Sequence, residues 1–106
     1  MLRGFWLFAQ AEEELAGARR RYDRDQPGRG LRFAERVEEV IEHALAQPDA
    51  GTLVIHRRVK RTIRKYQVTK FPYDVVATVQ DEELVVLAVS HHKRRPGYWI
   101  RRLKSL

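Results

Sequence analysis

Residues 10–46 read QAEEELAGARRRYDRDQPGRGLRFAERVEEVIEHALA, and their periodicity decides the fold. Ala11, Leu15, Ala18 and Tyr22 recur at spacings of four, three and four, which lays one apolar stripe along a helix from about Gln10 to Arg24. Glu12, Glu13 and Glu14 fall in its first turn, and Arg19, Arg20, Arg21 and Arg24 in its last turns, as the helix dipole favours. Asp25-Gln26-Pro27-Gly28-Arg29-Gly30 interrupts that period with a proline and two glycines and predicts a tight turn. A second helix is expected from about Leu31 to Ala46, with Phe33, Val37, Val40, Ile41, Ala44 and Leu45 as its core face and Pro48 as its stop. So short a connection makes the two helices an antiparallel hairpin.

On either side of the hairpin the pattern changes. Ahead of it, Phe5-Trp6-Leu7-Phe8 is a short aromatic run that reads as a buried strand. Behind it, residues 53–59 and 62–70 are strand candidates whose alternation is blurred by charge, and Phe71-Pro72 is a break. Tyr73, Val75, Ala77 and Val79 alternate with Asp74, Val76, Thr78 and Gln80, which predicts a half-buried strand. Leu84 to Val89 is continuously apolar and reads as a central strand. The short polar turn Asp81-Glu82-Glu83 makes these last two strands antiparallel. The expected architecture is α+β: a two-helix antiparallel hairpin packed on a small antiparallel sheet, in the order β-α-α-β-β-β, as one domain over residues 1–106. The core pairing expected is Phe33, Val37, Ile41 and Leu45 against Val75, Val79, Leu87 and Val89.

The 106 residues carry a net charge of +7, unevenly placed. Residues 1–50 hold 8 Lys/Arg against 10 Asp/Glu, whereas residues 51–106 hold 13 against 4. A half this basic suits an anionic partner, such as nucleic acid, a ribosome or an acidic protein segment. With no cysteine, disulfides, thiolate metal sites and cysteine nucleophiles are excluded. No His/Asp/Glu spacing matches a metal motif, and no cofactor is expected. The apolar run after Arg3 is too short for a signal peptide and is followed at once by acids, so a cytoplasmic protein without membrane attachment is expected.

Three local motifs make the element order specific. They are Ala11-Glu12-Glu13-Glu14-Leu15 with Pro27-Gly28-x-Gly30-x-x-Phe33, the corner Lys70-Phe71-Pro72-Tyr73, and His91-x-Lys93-Arg94-x-Pro96-x-Tyr98-Trp99-x-x-Arg102. Together, over about residues 5–102, they resemble the ParE/RelE superfamily, often labelled plasmid stabilisation proteins. The resemblance implies the fold just described and a toxin held inactive by an antitoxin encoded beside it. It also implies one of two mechanisms. RelE-like members cut messenger RNA on the ribosome, and ParE-like members bind and poison DNA gyrase.

Cutting RNA by 2′-hydroxyl attack needs a base, a cation on the phosphate and an acid for the leaving oxygen. By resemblance the candidates are Lys65, Arg94 and Tyr98. His91 and His92 form another possible acid–base pair, although neighbours at a strand end point to opposite faces. The match is partial, because RelE-like enzymes carry an arginine after the corner tyrosine where this chain has Asp74. In the ParE-like reading no residue is catalytic. Arg57, Arg58, Arg61, Arg64 and Lys65, with Lys60 between them, then join Lys93, Arg94, Arg95, Tyr98, Trp99 and Arg102 as a surface for the antitoxin or target. The plain alternatives are a solvated basic strand pair and, for Trp99, core packing. A DNA-binding module using Arg19-Arg20-Arg21 is a third reading, but no helix-turn-helix spacing supports it. The expectation is therefore a ParE-like toxin that inhibits gyrase and forms a hetero-oligomer with an acidic antitoxin, with a RelE-like ribonuclease acting on ribosome-bound message as the alternative.

Overall fold

A computed structural model of the protein describes residues 2–106. Two helices pack on a five-stranded sheet. The elements run β1 (Gly4–Leu7), α1 (Ala9–Asp25), α2 (Arg29–Ala46), β2 (Thr52–Leu53), β3 (Ile63–Gln67), β4 (Tyr73–Gln80) and β5 (Glu83–His91), followed by a 3-10 helix at Ile100–Ser105. In space the strands lie in the order β1-β5-β4-β3-β2. The α+β class and the helix hairpin are as expected. The sheet, however, is mixed: β1 runs parallel to β5, with Gly4 opposite Glu83 and Leu7 opposite Val86. Parallel neighbours need a long crossover, and here it consists of everything between the first strand and the last.

The two glycines of the interhelical turn have separate causes. Gly28 caps α2 at φ +88°, a backbone conformation that penalises any side chain. Gly30 lies so close to α1 that a Cβ there would sit 2.3 Å from the Arg19 carbonyl oxygen. The same approach lets the Asp23 carboxylate accept from the Gly30 N–H at 2.8 Å, so a side chain of α1 satisfies an orphan donor at the start of α2. Ala11 and Ala18 of α1, and Phe33, Val37, Ile41 and Ala44 of α2, are buried as their periodicity predicts. The corner after β3 inserts Phe71 beneath the turn end of the hairpin. Its ring centroid lies 5.1 Å from those of both Tyr22 and Phe33, and Tyr73 closes the cluster at 4.8 Å from Phe33.

Strand β5 is apolar on both faces because it is covered on both. The pairing of β4 with β5 skips Leu87, since Val76 stands opposite Ala88 while Ala77 stands opposite Val86. This bulge switches the face presented to the helices from Leu84 and Val86 to Val89. Val79 departs from the expected core. It lies at the end of β4, in a hollow walled by strands and by residues 48–49 rather than by either helix, and is 43% exposed. The expected strand over 53–59 shrinks to Thr52–Leu53, and residues 54–62 form a basic loop. The expected strand at 62–70 keeps only Ile63–Gln67.

One side chain closes the outer edge of β5. β1 stops at Leu7, so among the described residues no strand lies beside this edge beyond Val86. Glu14 of α1 fills the gap, its Oε1 accepting from the Val89 N–H at 3.1 Å. Both Glu14 oxygens accept from the Arg102 guanidinium at 3.0 Å, and Arg102 also donates to the Leu87 carbonyl at 2.8 Å. The Tyr98 hydroxyl donates to Glu14 Oε2 at 2.6 Å. Only 17% of the Glu14 side chain and 14% of the Arg102 side chain are exposed. Burial, together with the hydrogen bond to this carboxylate, pushes the Tyr98 phenol up to about 12.

Three outcomes test this account in thermal or denaturant unfolding. Ile41→Ala should cost roughly 2–5 kcal/mol as a large-to-small core change, whereas Val79→Ala should stay below about 1 kcal/mol. Glu14→Ala leaves a guanidinium, a hydroxyl and a strand N–H without their acceptor and should cost about 3 kcal/mol, within the range for breaking a buried ion pair. The Tyr98 phenol is harder to ionise folded than unfolded. Its stabilisation is therefore present below about pH 10 and is lost as pH rises through about 12. Tyr98→Phe should remove that part of the alkaline decline.

Candidate functional site

The sheet face turned away from the helices carries a groove of about 400 Å³. Alternation builds it. Tyr66, Tyr73 and Val75 are buried in the core beneath the helices, so Lys65, Gln67, Asp74 and Val76 point the other way and line the groove. Ser90 and the segment after β5 supply the opposite wall, with Arg94, Arg95 and Pro96 on the rim. Trp99 also lines it and is 4% exposed, so its indole packs as part of the core, the plain alternative for this residue.

Lys65, Arg94 and His91, three of the ribonuclease candidates, line this one groove. Tyr98, the fourth, is not among its lining residues. Its hydroxyl is committed to Glu14, and its ring is covered by the Arg94 guanidinium at 3.8 Å. His91 and His92 diverge as expected of strand neighbours. The His91 ring packs on Tyr73 at 4.9 Å, while His92 Nε2 lies 3.3 Å from Asp74 Oδ1. Burial lowers the His91 pKa, and the nearby charges of Lys93, His92 and Arg21 lower it further, while its Nδ1 accepts from the Lys93 N–H at 3.0 Å. The carboxylate of Asp74, which alternation alone did not place on a groove, therefore lies inside this one. There it opposes a phosphate.

The other expected surface residues divide by role. Arg57 and Arg58 are exposed on the loop between β2 and β3, and Lys93 and Arg95 are exposed after β5. Arg61 donates to the Gln80 side chain at 2.8 Å. Arg64 donates to the Gly51 carbonyl at 2.8 Å and lines the hollow beside Val79 instead of the groove. Arg102 and Tyr98 belong to the Glu14 cluster. Sequence reasoning missed Glu14 itself and the Asp74–His92 pair. Glu14 had a signal, because it stands three residues from Ala11 and four from Ala18 and so borders the apolar stripe. A carboxylate there must find a partner once the helix packs. Among the described residues no cluster of His, Cys, Asp or Glu is placed to hold a metal ion. Among the same residues no helix is long and apolar enough to cross a membrane.

Comparison with known proteins agrees with this architecture. A solved chain from the "Chromosomal ParDE TA system from P. aeruginosa" shares the fold with a TM-score of 0.71. The likeness covers 86% of this chain and 96% of that one at 15% sequence identity. No curated protein matches significantly. The family model described as "ParE toxin of type II toxin-antitoxin system, parDE" matches residues 8–96. That span runs from the residue before α1 to the groove's rim and takes in both helices, β2 to β5 and the lining of the groove except Gly97 and Trp99, and so the chain belongs to the ParE toxin family of type II toxin–antitoxin systems.

Proposed function

We propose that this toxin arrests growth by binding DNA gyrase and does not cut RNA. The observation that carries this reading is the state of the would-be catalytic set. The groove that holds Lys65 and Arg94 also holds the Asp74 carboxylate, and the one tyrosine suited to protonate a leaving oxygen is bound to Glu14 outside it. A general acid must reach the reacting atom, and a phosphate needs cations around it. The ribonuclease reading keeps one observation in its favour, the presence of Lys65 and Arg94 in one concavity that His91 borders, although the His91 ring itself packs on Tyr73.

Neutralisation is assigned to an antitoxin from the neighbouring gene, acting in the cytoplasm. The antitoxin should be acidic, to match the basic half of the chain, and should add a strand or an amphipathic helix. β1 lies at the border of the sheet with Phe5 and Trp6 exposed, a fit surface for an added strand. Co-expression should give a stable complex of the two products. A toxin that stays monodisperse and ignores that product at low salt and micromolar concentration would exclude it as the partner.

Mechanism is tested by controlled expression, with growth arrest, gyrase supercoiling and ribosome-dependent messenger RNA cleavage measured in parallel. Deleting residues 93–106 would strip Trp99 from the core and Arg102 from Glu14, so point variants are needed. Lys65→Ala should leave toxicity within about threefold, because one exposed cation among many contributes little. If Lys65 were a general base, its loss would lower cleavage by about 10²–10⁴-fold. Wild-type protein that cuts message in the ribosomal A site, with Lys65→Ala inactive, would overturn the gyrase reading.

A further inference from the structure

The basic residues around the groove form a surface of their own, to which the gyrase reading assigns no contact and which an acidic antitoxin would cover only in the neutralised complex. Lys65, Arg94 and Arg95 line the groove directly. The loop that carries Arg57 and Arg58 meets the groove's far wall at its base: the His56 ring lies 3.4 Å from where a Cβ on Gly97 would stand. Lys93 adjoins Arg94. Among the described residues the ion pairs are Arg3–Glu82, Arg36–Glu39, His92–Asp74 and Arg102–Glu14, so none of these rim cations has a carboxylate partner. Unneutralised cations from two separate chain segments, gathered around one concavity, repel one another unless a polyanion covers them.

The chemistry of the rim selects among polyanions. A single strand is held by stacking its bases on exposed aromatic rings. Here Trp99 is buried and the Tyr98 ring is covered by Arg94 and Arg102, so the groove offers no such platform. An acidic peptide needs an apolar anchor, yet Val76 and Trp99 at the groove are both buried. The loop does expose Ile55, at 81%, and that side chain is the anchor a peptide would use. A double helix keeps its bases stacked and presents only phosphates, which exposed arginines and lysines contact without reading sequence. Asp74 is set into the groove beside His92 with 16% of its side chain exposed, so a duplex resting on the rim need not approach it.

We infer that the rim formed by Arg57, Arg58, Lys65, Lys93, Arg94 and Arg95 binds the phosphodiester backbone of duplex DNA, independently of sequence. This goes beyond inhibition of gyrase as a protein, and it is tested without gyrase, so the two readings fail separately.

The purified full-length toxin is titrated against a fluorescent 20-base-pair duplex of arbitrary sequence, the matching single strand, and a poly-glutamate peptide, over a range of salt. Duplex binding should be micromolar or tighter at 50 mM salt and unchanged when the sequence is scrambled. Its log K should fall linearly with log salt, with a slope of about −0.9 for each phosphate neutralised. Arg57→Glu/Arg58→Glu should weaken it at least tenfold and flatten the slope by about 2, with circular dichroism and Tm unchanged because both side chains are exposed. Arg32→Glu, on the exposed side of α2, should leave binding as it was. The inference is overturned by no duplex binding at 50 mM salt and 100 μM protein, by tighter binding of the single strand, or by a duplex affinity that the double substitution does not change. Preferential binding of poly-glutamate that depends on Ile55 would overturn it too, and would point to an acidic peptide instead.

Discussion

The fold depends on how the outer edge of β5 is closed. A strand edge presents N–H and C=O groups that water, another strand or a side chain must satisfy. β1 covers only the first half of that edge, because α1 must begin immediately after Phe8 for its apolar stripe to reach the sheet. Glu14 and Arg102 then act together as a substitute for the missing strand, one accepting from the Val89 N–H and the other donating to the Leu87 carbonyl. Each charge alone would be an expensive buried group. Joined by two parallel hydrogen bonds they satisfy each other as well as the backbone. The bulge at Leu87 falls at the same place, so the strand changes face where its neighbour changes from backbone to side chain.

The helical half of this arrangement was legible in the chain because helix periodicity is a local signal. Ala11 to Tyr22 and Phe33 to Leu45 place their apolar residues by spacing alone, and Pro27-Gly28 marks the reversal. The β half was less so. Alternation says which residues share a face, not which strand lies beside which, and nothing near Phe5 in sequence announces a parallel partner at Leu84. The bulge was hidden for a related reason, since both faces of β5 are apolar and a change of face leaves no mark. Val79 obeys the alternation of β4 yet lies in a hollow walled by strands and residues 48–49 instead of beneath α1 or α2. The C-terminal 3-10 helix did leave a trace: Ile100, Leu103 and Leu106 recur every third residue, the period of that helix.

For the site, the difficulty was to separate residues that hold the fold from residues that face a partner. Tyr98, Trp99 and Arg102 sit in a motif that looks functional, and in the structure all three do structural work, two on Glu14 and one in the core. Lys65, Arg94 and Arg95 share a groove although the second and third lie 29 and 30 positions after the first. Sequence showed the excess of positive charge but not its division. Arg61 and Arg64 are spent on a side chain and on backbone carbonyls, which leaves the rim cations without such partners.

The Glu14 cluster also has a consequence in time. Synthesis runs 84 residues past Glu14 before Tyr98 exists and 88 before Arg102 does. β1 likewise emerges long before β5, its neighbour in the sheet. Until then the first strand has no strand to pair with among the described residues and the first helix has only the second to pack on, and contacts so distant in sequence are slow to form. A nascent chain therefore cannot complete the groove until its last residues, through Trp99, have been made. Through the preceding interval the apolar face of α1 that will meet the sheet is open to whatever protein is already present to hold it.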